Sequence, residues 1–257
     1  MMKTISIILF LLLLIGCKEE ITFADNIVLS FLKDEKLTFQ NFNEGIGESG
    51  TGIIYIGKDT TNIDVKYFDS MIPAPPPPDY KIDSISIRNQ KLFSKYFHDS
   101  FDRMKYNDKP IIFDSLSKNN VKIIAKTKDT IPKYAFNYDD QKLKKYKAFP
   151  VFIKNISGRK LLLPDLKNPP LAILNEKNKW QIVWNENSIG ACMVGGWEDH
   201  YHWELQPDEI MVLSVNFLTG KNKGKFKIWS GNSSSNEFTM KYDKQVIKNQ
   251  QHYFEIK

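Results

Sequence analysis

The densest run of chemically capable side chains lies between Cys192 and Glu204: Cys192, Glu198, Asp199, His200, His202 and Glu204. Imidazoles, thiolates and carboxylates are the usual ligands of zinc and copper. Read as a strand, the run alternates. His200, His202 and Glu204 fall on one face, and Tyr201, Trp203 and Leu205 fall on the other. The apolar face belongs in a core, so both histidines are expected to point outward. A metal at His200 and His202 needs a third ligand, which Cys192 or Asp199 could bring through the Gly195-Gly196 bend. No Cys-x-x-Cys or His-Glu-x-x-His spacing supports that, so a solvated polar strand face is the simpler expectation, and no cofactor is expected.

Other chemistry is equally sparse. There is no Gly-x-Ser-x-Gly elbow, no P-loop and no readable carboxylate pair. Gly45, Gly47 and Gly50 make a lone G-x-G-x-x-G, but Asn41-Phe42-Asn43-Glu44 before it is no buried strand and a strand, not a helix, follows. It reads as a glycine-rich loop, and the chain as non-enzymatic. The five tryptophans offer another chemistry, since an exposed indole stacks on sugar rings. Trp180 and Trp184 share a face with Ile182, which looks like a core stripe. Trp197, beside two glycines, is the one expected outside and is the ligand-binding candidate.

The N-terminus carries the clearest pattern. Lys3 precedes an almost unbroken apolar run from Ile5 to Ile15, too short to span a bilayer and shaped like a secretory signal. The run ends in Leu14-Ile15-Gly16-Cys17, which resembles the lipobox of bacterial lipoproteins. The resemblance implies cleavage before Cys17, acylation of that cysteine (palmitate among the chains) and attachment to a membrane. Several chains hold firmly, because each buried CH₂ adds about 0.8 kcal/mol. Lys18-Glu19-Glu20 is similar to the surface-export tag of Bacteroidota lipoproteins, which implies an outer-membrane protein facing the cell exterior. Five sites resemble the Asp-Ser/Thr-apolar acceptor of Bacteroidota O-glycosylation: Thr60, Ser70, Ser84, Ser115 and Thr130, each preceded by Asp. Asp-Ser and Asp-Thr also start ordinary turns.

The bulk properties agree with an exported globular protein. The chain has 257 residues and 42% hydrophobic residues, enough for real cores. Aromatics at 13% favour strands over helices. Of two cysteines, Cys17 takes the lipid, so Cys192 has no intramolecular disulfide partner. The net charge of +6 is spread among Asp and Glu, apart from local groups such as Lys142, Lys144, Lys145 and Lys147, and a nucleic-acid binder concentrates its charge. No nucleic-acid partner is expected.

The elements that must position these residues are mostly strands. The expected order is a signal at 1–16, a tether and glycine-rich loop at 17–50, a β-rich domain at 51–140 and a β-sandwich at 147–257, with a boundary in the polar segment 132–147. Strands are expected at 52–57, 63–67, 82–87, 111–113 and 121–125, and a helix at 90–105, where Leu92, Phe93, Tyr96, Phe97, Phe101 and Met104 fit a helical face. Pro73 and Pro75 to Pro78 interrupt as a spacer. The second half shows regular short strands, including a hairpin around Asn175–Asn178 and a last strand at Tyr253-Phe254. That order resembles the immunoglobulin-like domains of bacterial envelope proteins, without their Cys and Trp hallmark. The fold class is therefore all-β with one short helix in the N-terminal half. The expected function is a lipid-anchored binding module for a glycan or protein. A periplasm-facing structural or inhibitory lipoprotein and a metal-dependent enzyme at His200 and His202 are the alternatives.

Overall fold

The computed structural model describes residues 21–33, 36–41, 51–58, 61–69, 84–99, 103–137, 140–164, 169–183 and 200–248. The first half supplies β1 (Val28–Ser30), β2 (Ile53–Gly57), β3 (Asn62–Asp64), β4 (Tyr67–Asp69), α1 (Ser84–Tyr96), β5 (Phe97–Asp99), β6 (Met104–Tyr106), β7 (Val121–Ala125) and β8 (Ile131–Asn137). The second half supplies β9 (Lys142–Asn155), β10 (Leu161–Leu163), β11 (Leu171–Leu174), β12 (Trp180–Val183), β13 (Tyr201–Leu205) and β14 (Ile210–Asn216). It ends with β15 (Asn222–Ser230), β16 (Ser233–Ser234), β17 (Phe238–Tyr242) and α2 (Lys244–Lys248). The all-β reading with a short helix in the first half is what the structure shows.

A central antiparallel sheet organises the rest, in the order β2-β14-β9-β7, with β8 also paired to β9. Its two middle strands contain continuous apolar runs, Ala148 to Ile153 and Ile210 to Leu213, broken only by Pro150. Such runs are what a strand buried on both faces requires. Phe149, Val151, Ile153, Met211, Leu213 and Val215 face one core; Ala148, Phe152, Ile210 and Val212 face another. On β2 a bulge opposite Val212 and Leu213 inserts one residue. The bulge lets Ile53 and Ile56, three apart, both reach the first core while Ile54 joins the second. Pro150 is tolerated mid-sheet because it sits at a junction: β7 ends opposite Val151 and β8 begins opposite Ala148. Its carbonyl still accepts from the Lys126 backbone N–H at 3.1 Å.

The first core is closed by two further sheets. One has the order β12-β11-β15-β16, with β17 on β15; the other is β10-β13-β6. Trp203 and Leu205 of β13, Phe226 and Ile228 of β15 and Ile173 of β11 all point into this core. The second core is covered by α1, β3, β4 and β5. Tyr67 seals it, donating its hydroxyl to the Pro132 carbonyl at 2.7 Å, and burial pushes that phenol well above its ordinary pKa. Tyr96 and Phe97, at the junction of α1 and β5, are buried there too.

Several expectations need correction. Residues 132–147 do not separate two domains: β8 and β9 form a hairpin across them, from Ile131 opposite Ala148 to Asn137 opposite Lys142. Asp140 lies in the turn and Lys142, Lys144, Lys145 and Lys147 are exposed or half-buried positions of long paired strands, whereas Lys133 is buried. Sheet strands from both sides of the expected boundary interleave, so residues 147–257 do not pair only among themselves. The helix runs from Ser84 to Tyr96 rather than over 90–105, because Phe97 to Asp99 pair in parallel with Tyr67 to Asp69. Residues 84–87, expected as strand, belong to that helix; short apolar runs do not separate the two states by periodicity. Residues 111–113 form no strand, and Ile112 is 93% exposed. Asp114 instead ties this stretch to β10, its backbone N–H donating to the Leu162 carbonyl at 2.8 Å. The C-terminal helix α2 was not expected. The signal, the tag, Gly45 to Gly50, the proline run and Tyr253-Phe254 lie outside the described residues.

Candidate functional site

The hairpin β11–β12 decides which side chains line the outer face of its sheet. Leu171 pairs with Val183, Ala172 with Ile182, Ile173 with Gln181 and Leu174 with Trp180. On the other side, Leu171 pairs with Ile228, Ala172 with Lys227 and Ile173 with Phe226. Leu171, Ile173, Val183, Phe226 and Ile228 are taken by the core. Strand alternation then sends Trp180, Ile182, Lys225, Lys227 and Trp229 outward. The expected core stripe of Trp180 with Ile182 is therefore reversed: Gln181 and Val183 are the buried pair, and Trp180 is half-buried on the outside.

The outward side chains form a compact platform. The Lys227 ammonium lies 4.0 Å from the Trp180 ring centroid and 4.5 Å from that of Trp229, so two indoles flank one cation. Beneath them Ala172 has no exposed surface. Burial lowers the Lys227 pKa; Glu237 opposes that shift and Lys118 adds to it. Lys225 reaches Glu237 at 4.0 Å. The face thus offers flat aromatic surface, a partly desolvated ammonium and further positive charge at Lys118. Such a surface can take an anionic group at the ammonium and stack an apolar ring face on an indole.

The histidine site differs from its expectation. Trp203 and Leu205 are fully buried as expected. His202, expected outside, is only 7% exposed. Its Nε2 lies 3.7 Å from Glu204 Oε1, and its buried Nδ1 lacks a hydrogen-bond partner. His200 turns the other way: its Nδ1 is 2.7 Å from the Asn107 carbonyl, and its ring stacks on Tyr106 at 5.6 Å. Glu204 is claimed by Lys160. Burial opposes ionisation of that carboxyl, but the Lys160 bond and the neighbouring His202 outweigh it and hold its pKa down. Among the described residues, no group of three or more His, Cys, Asp or Glu side chains is placed to hold a metal ion. Cys192, Glu198, Asp199 and Trp197 lie outside the described residues, as do Cys17, Lys18, Glu19 and Glu20.

Two of the five acceptor candidates can be placed with their surroundings. Ser115 and Thr130 are both exposed. Asp114, before Ser115, is committed elsewhere: Arg159 donates to its Oδ1 at 2.6 Å and the Leu162 N–H to its Oδ2 at 2.8 Å. Ser84 opens α1, while Thr60 and Ser70 lie outside the described residues. Among the described residues no helix is long and apolar enough to cross a membrane.

No protein-family model, no curated protein and no solved structure matches this chain.

Proposed function

We propose that this protein is a non-catalytic lipoprotein of the cell envelope, anchored through Cys17 and facing the cell exterior, whose outer sheet face binds an acidic glycan. The single observation that carries the ligand class is the Trp180–Lys227–Trp229 platform. An indole offers an apolar plane to the C–H face of a sugar ring. The flanked ammonium favours a uronate carboxylate over a neutral hydroxyl, and Lys118 strengthens that preference. The lipid anchor rests on Leu14-Ile15-Gly16-Cys17, and the outward address on Lys18-Glu19-Glu20.

The test of recognition is binding of the full chain in detergent to polygalacturonate. Truncating a buried aromatic anchor of an interface costs about 2 kcal/mol or more. The double variant Trp180→Ala, Trp229→Ala is therefore expected to bind about tenfold or more weakly while keeping its thermal transition. Unchanged affinity in a folded double variant would refute the platform. The test of anchoring is palmitate labelling, expected to disappear in Cys17→Ser; a Cys17→Ser protein that still takes up label contradicts the lipobox reading.

A further inference from the structure

The fold grips the chain from Thr22 onward. The Thr22 N–H donates to Asp25 Oδ2 at 2.6 Å, and the Asp25 N–H donates to the Thr22 carbonyl at 3.2 Å, closing a turn. Ala24 inside that turn has no exposed surface. Lys126, just past β7, pins it: its ammonium donates to the Ala24 carbonyl at 2.7 Å and reaches Asp25 at 3.2 Å. Phe23, Ile27, Leu29 and Phe31 pack on the second core, and β1 pairs in parallel with β3 from Val28 to Ser30. Residues 22–30 therefore belong to the body, not to the tether expected over 17–50.

Only Lys18 to Ile21 separate Cys17 from Thr22. Five residue steps reach about 18 Å at full extension. A folded chain of 257 residues has a radius of gyration of about 18 Å and is about 45 Å across. So short a leash cannot pass over the body, and the side that holds Thr22 stays next to whatever holds Cys17. The layers define that side. The central sheet stands between the two cores, with β1 and its turn packed on the second and β11, β15 and β17 on the first. Large apolar side chains are left in the open at the N-terminal edge: Ile21 is 85% exposed, and Val28, at the head of β1, 54%. We infer that the edge carrying Ile21 and Val28 lies against the lipid bilayer, and that the outer sheet with Trp180, Lys227 and Trp229 faces away from it. This orientation rests on the acylation of Cys17 proposed above; it adds the surface that meets the lipid and sets the platform on the far side of the central sheet.

The test uses the full acylated chain on a Cys192→Ser background, reconstituted in phosphatidylcholine vesicles that contain phosphatidylcholine with a nitroxide on its headgroup. A bimane attached through Val28→Cys is expected to lose most of its emission to the nitroxide. One attached through Thr239→Cys is expected to keep it, because Thr239 is exposed on β17 between the core residues Phe238 and Met240 and so faces outward. Ile21→Cys provides a second position should Val28→Cys disturb the pairing of β1, and its label is expected to be quenched as well. Palmitate labelling of the same samples separates this inference from the anchor it rests on. A chain that carries palmitate but leaves both the position-21 and position-28 labels unquenched, or quenches Thr239→Cys as strongly as Val28→Cys, overturns the orientation and leaves the anchor standing. A chain without palmitate overturns the anchor, and the orientation falls with it.

Discussion

Asp114 shows how single side chains set the chemistry of this molecule. Burial alone would raise its pKa, but Arg159 and the Leu162 N–H outweigh burial and hold it below the ordinary aspartate value. A carboxyl depressed in the folded state contributes stability above its unfolded pKa of about 3.9 and loses it as pH falls through the lower folded value. Asp114→Asn removes that titration. The variant is expected to be less stable than wild type near neutrality, with the gap narrowing in acid. Denaturant unfolding at about pH 6 and about pH 3 checks this, and a gap that stays constant contradicts it. At this same scale the sequence misleads about Trp180 and Gln181. Strand alternation says correctly that the two lie on opposite faces, but a four-residue strand does not say which face is core. Large apolar Trp180 and Ile182 looked like the core choice. Val183 wins because it faces Leu171 across the hairpin and joins the Ile228 side of the sheet, and Gln181 is carried inside with it. The buried amide and the outward, half-buried indoles are consequences of one choice of parity.

Strands with unambiguous patterns were legible as elements. Val121 to Ala125, Leu161 to Leu163, the hairpin around Asn175–Asn178 and the run from Ile210 lie close to where they were expected. Asn178 takes a positive φ of 56°, as a tight turn of this kind needs. The helix was legible in kind but not in extent. Leu92, Phe93 and Tyr96 do lie on α1, whereas Phe97 is lost to β5, because a parallel pairing with β4 is a non-local event that local periodicity does not encode. His202 fails for a related reason. Alternation placed it on the outward face of β13, and it is on that face, opposite Trp203. A face opposite the core is not necessarily an exposed one: His202 is only 7% exposed, and alternation encodes the face but not its coverage.

Across the whole molecule, the central sheet joins the two halves. Strand β2 from the first half pairs with β14, and β7 and β8 pair with β9. A chain beginning at residue 147 keeps β14 and the truncated β9 but loses β2, β7 and β8, and with them the first-half cover over Phe152 and Val212. Residues 147–257 alone are expected to show no cooperative unfolding transition by calorimetry, while the full chain shows one. A sharp transition in the fragment contradicts the interleaved core. The sequence misplaced the boundary because a charged hairpin and a linker share a composition; only pairing distinguishes them. In the function proposed above, the anchor at one end and the Trp180–Lys227–Trp229 platform would together make a tethered receptor for an anionic polymer.

The most direct test of that account compares polygalacturonate with its methyl ester, which keeps the sugar rings and removes the charge, on wild type and on the Trp180→Ala, Trp229→Ala variant. The wild type is expected to bind the acid form and to lose about tenfold or more on esterification, and the variant to bind both forms weakly. Equal binding of acid and ester by the wild type, or acid binding that survives loss of both indoles, would contradict recognition of an acidic glycan by this face.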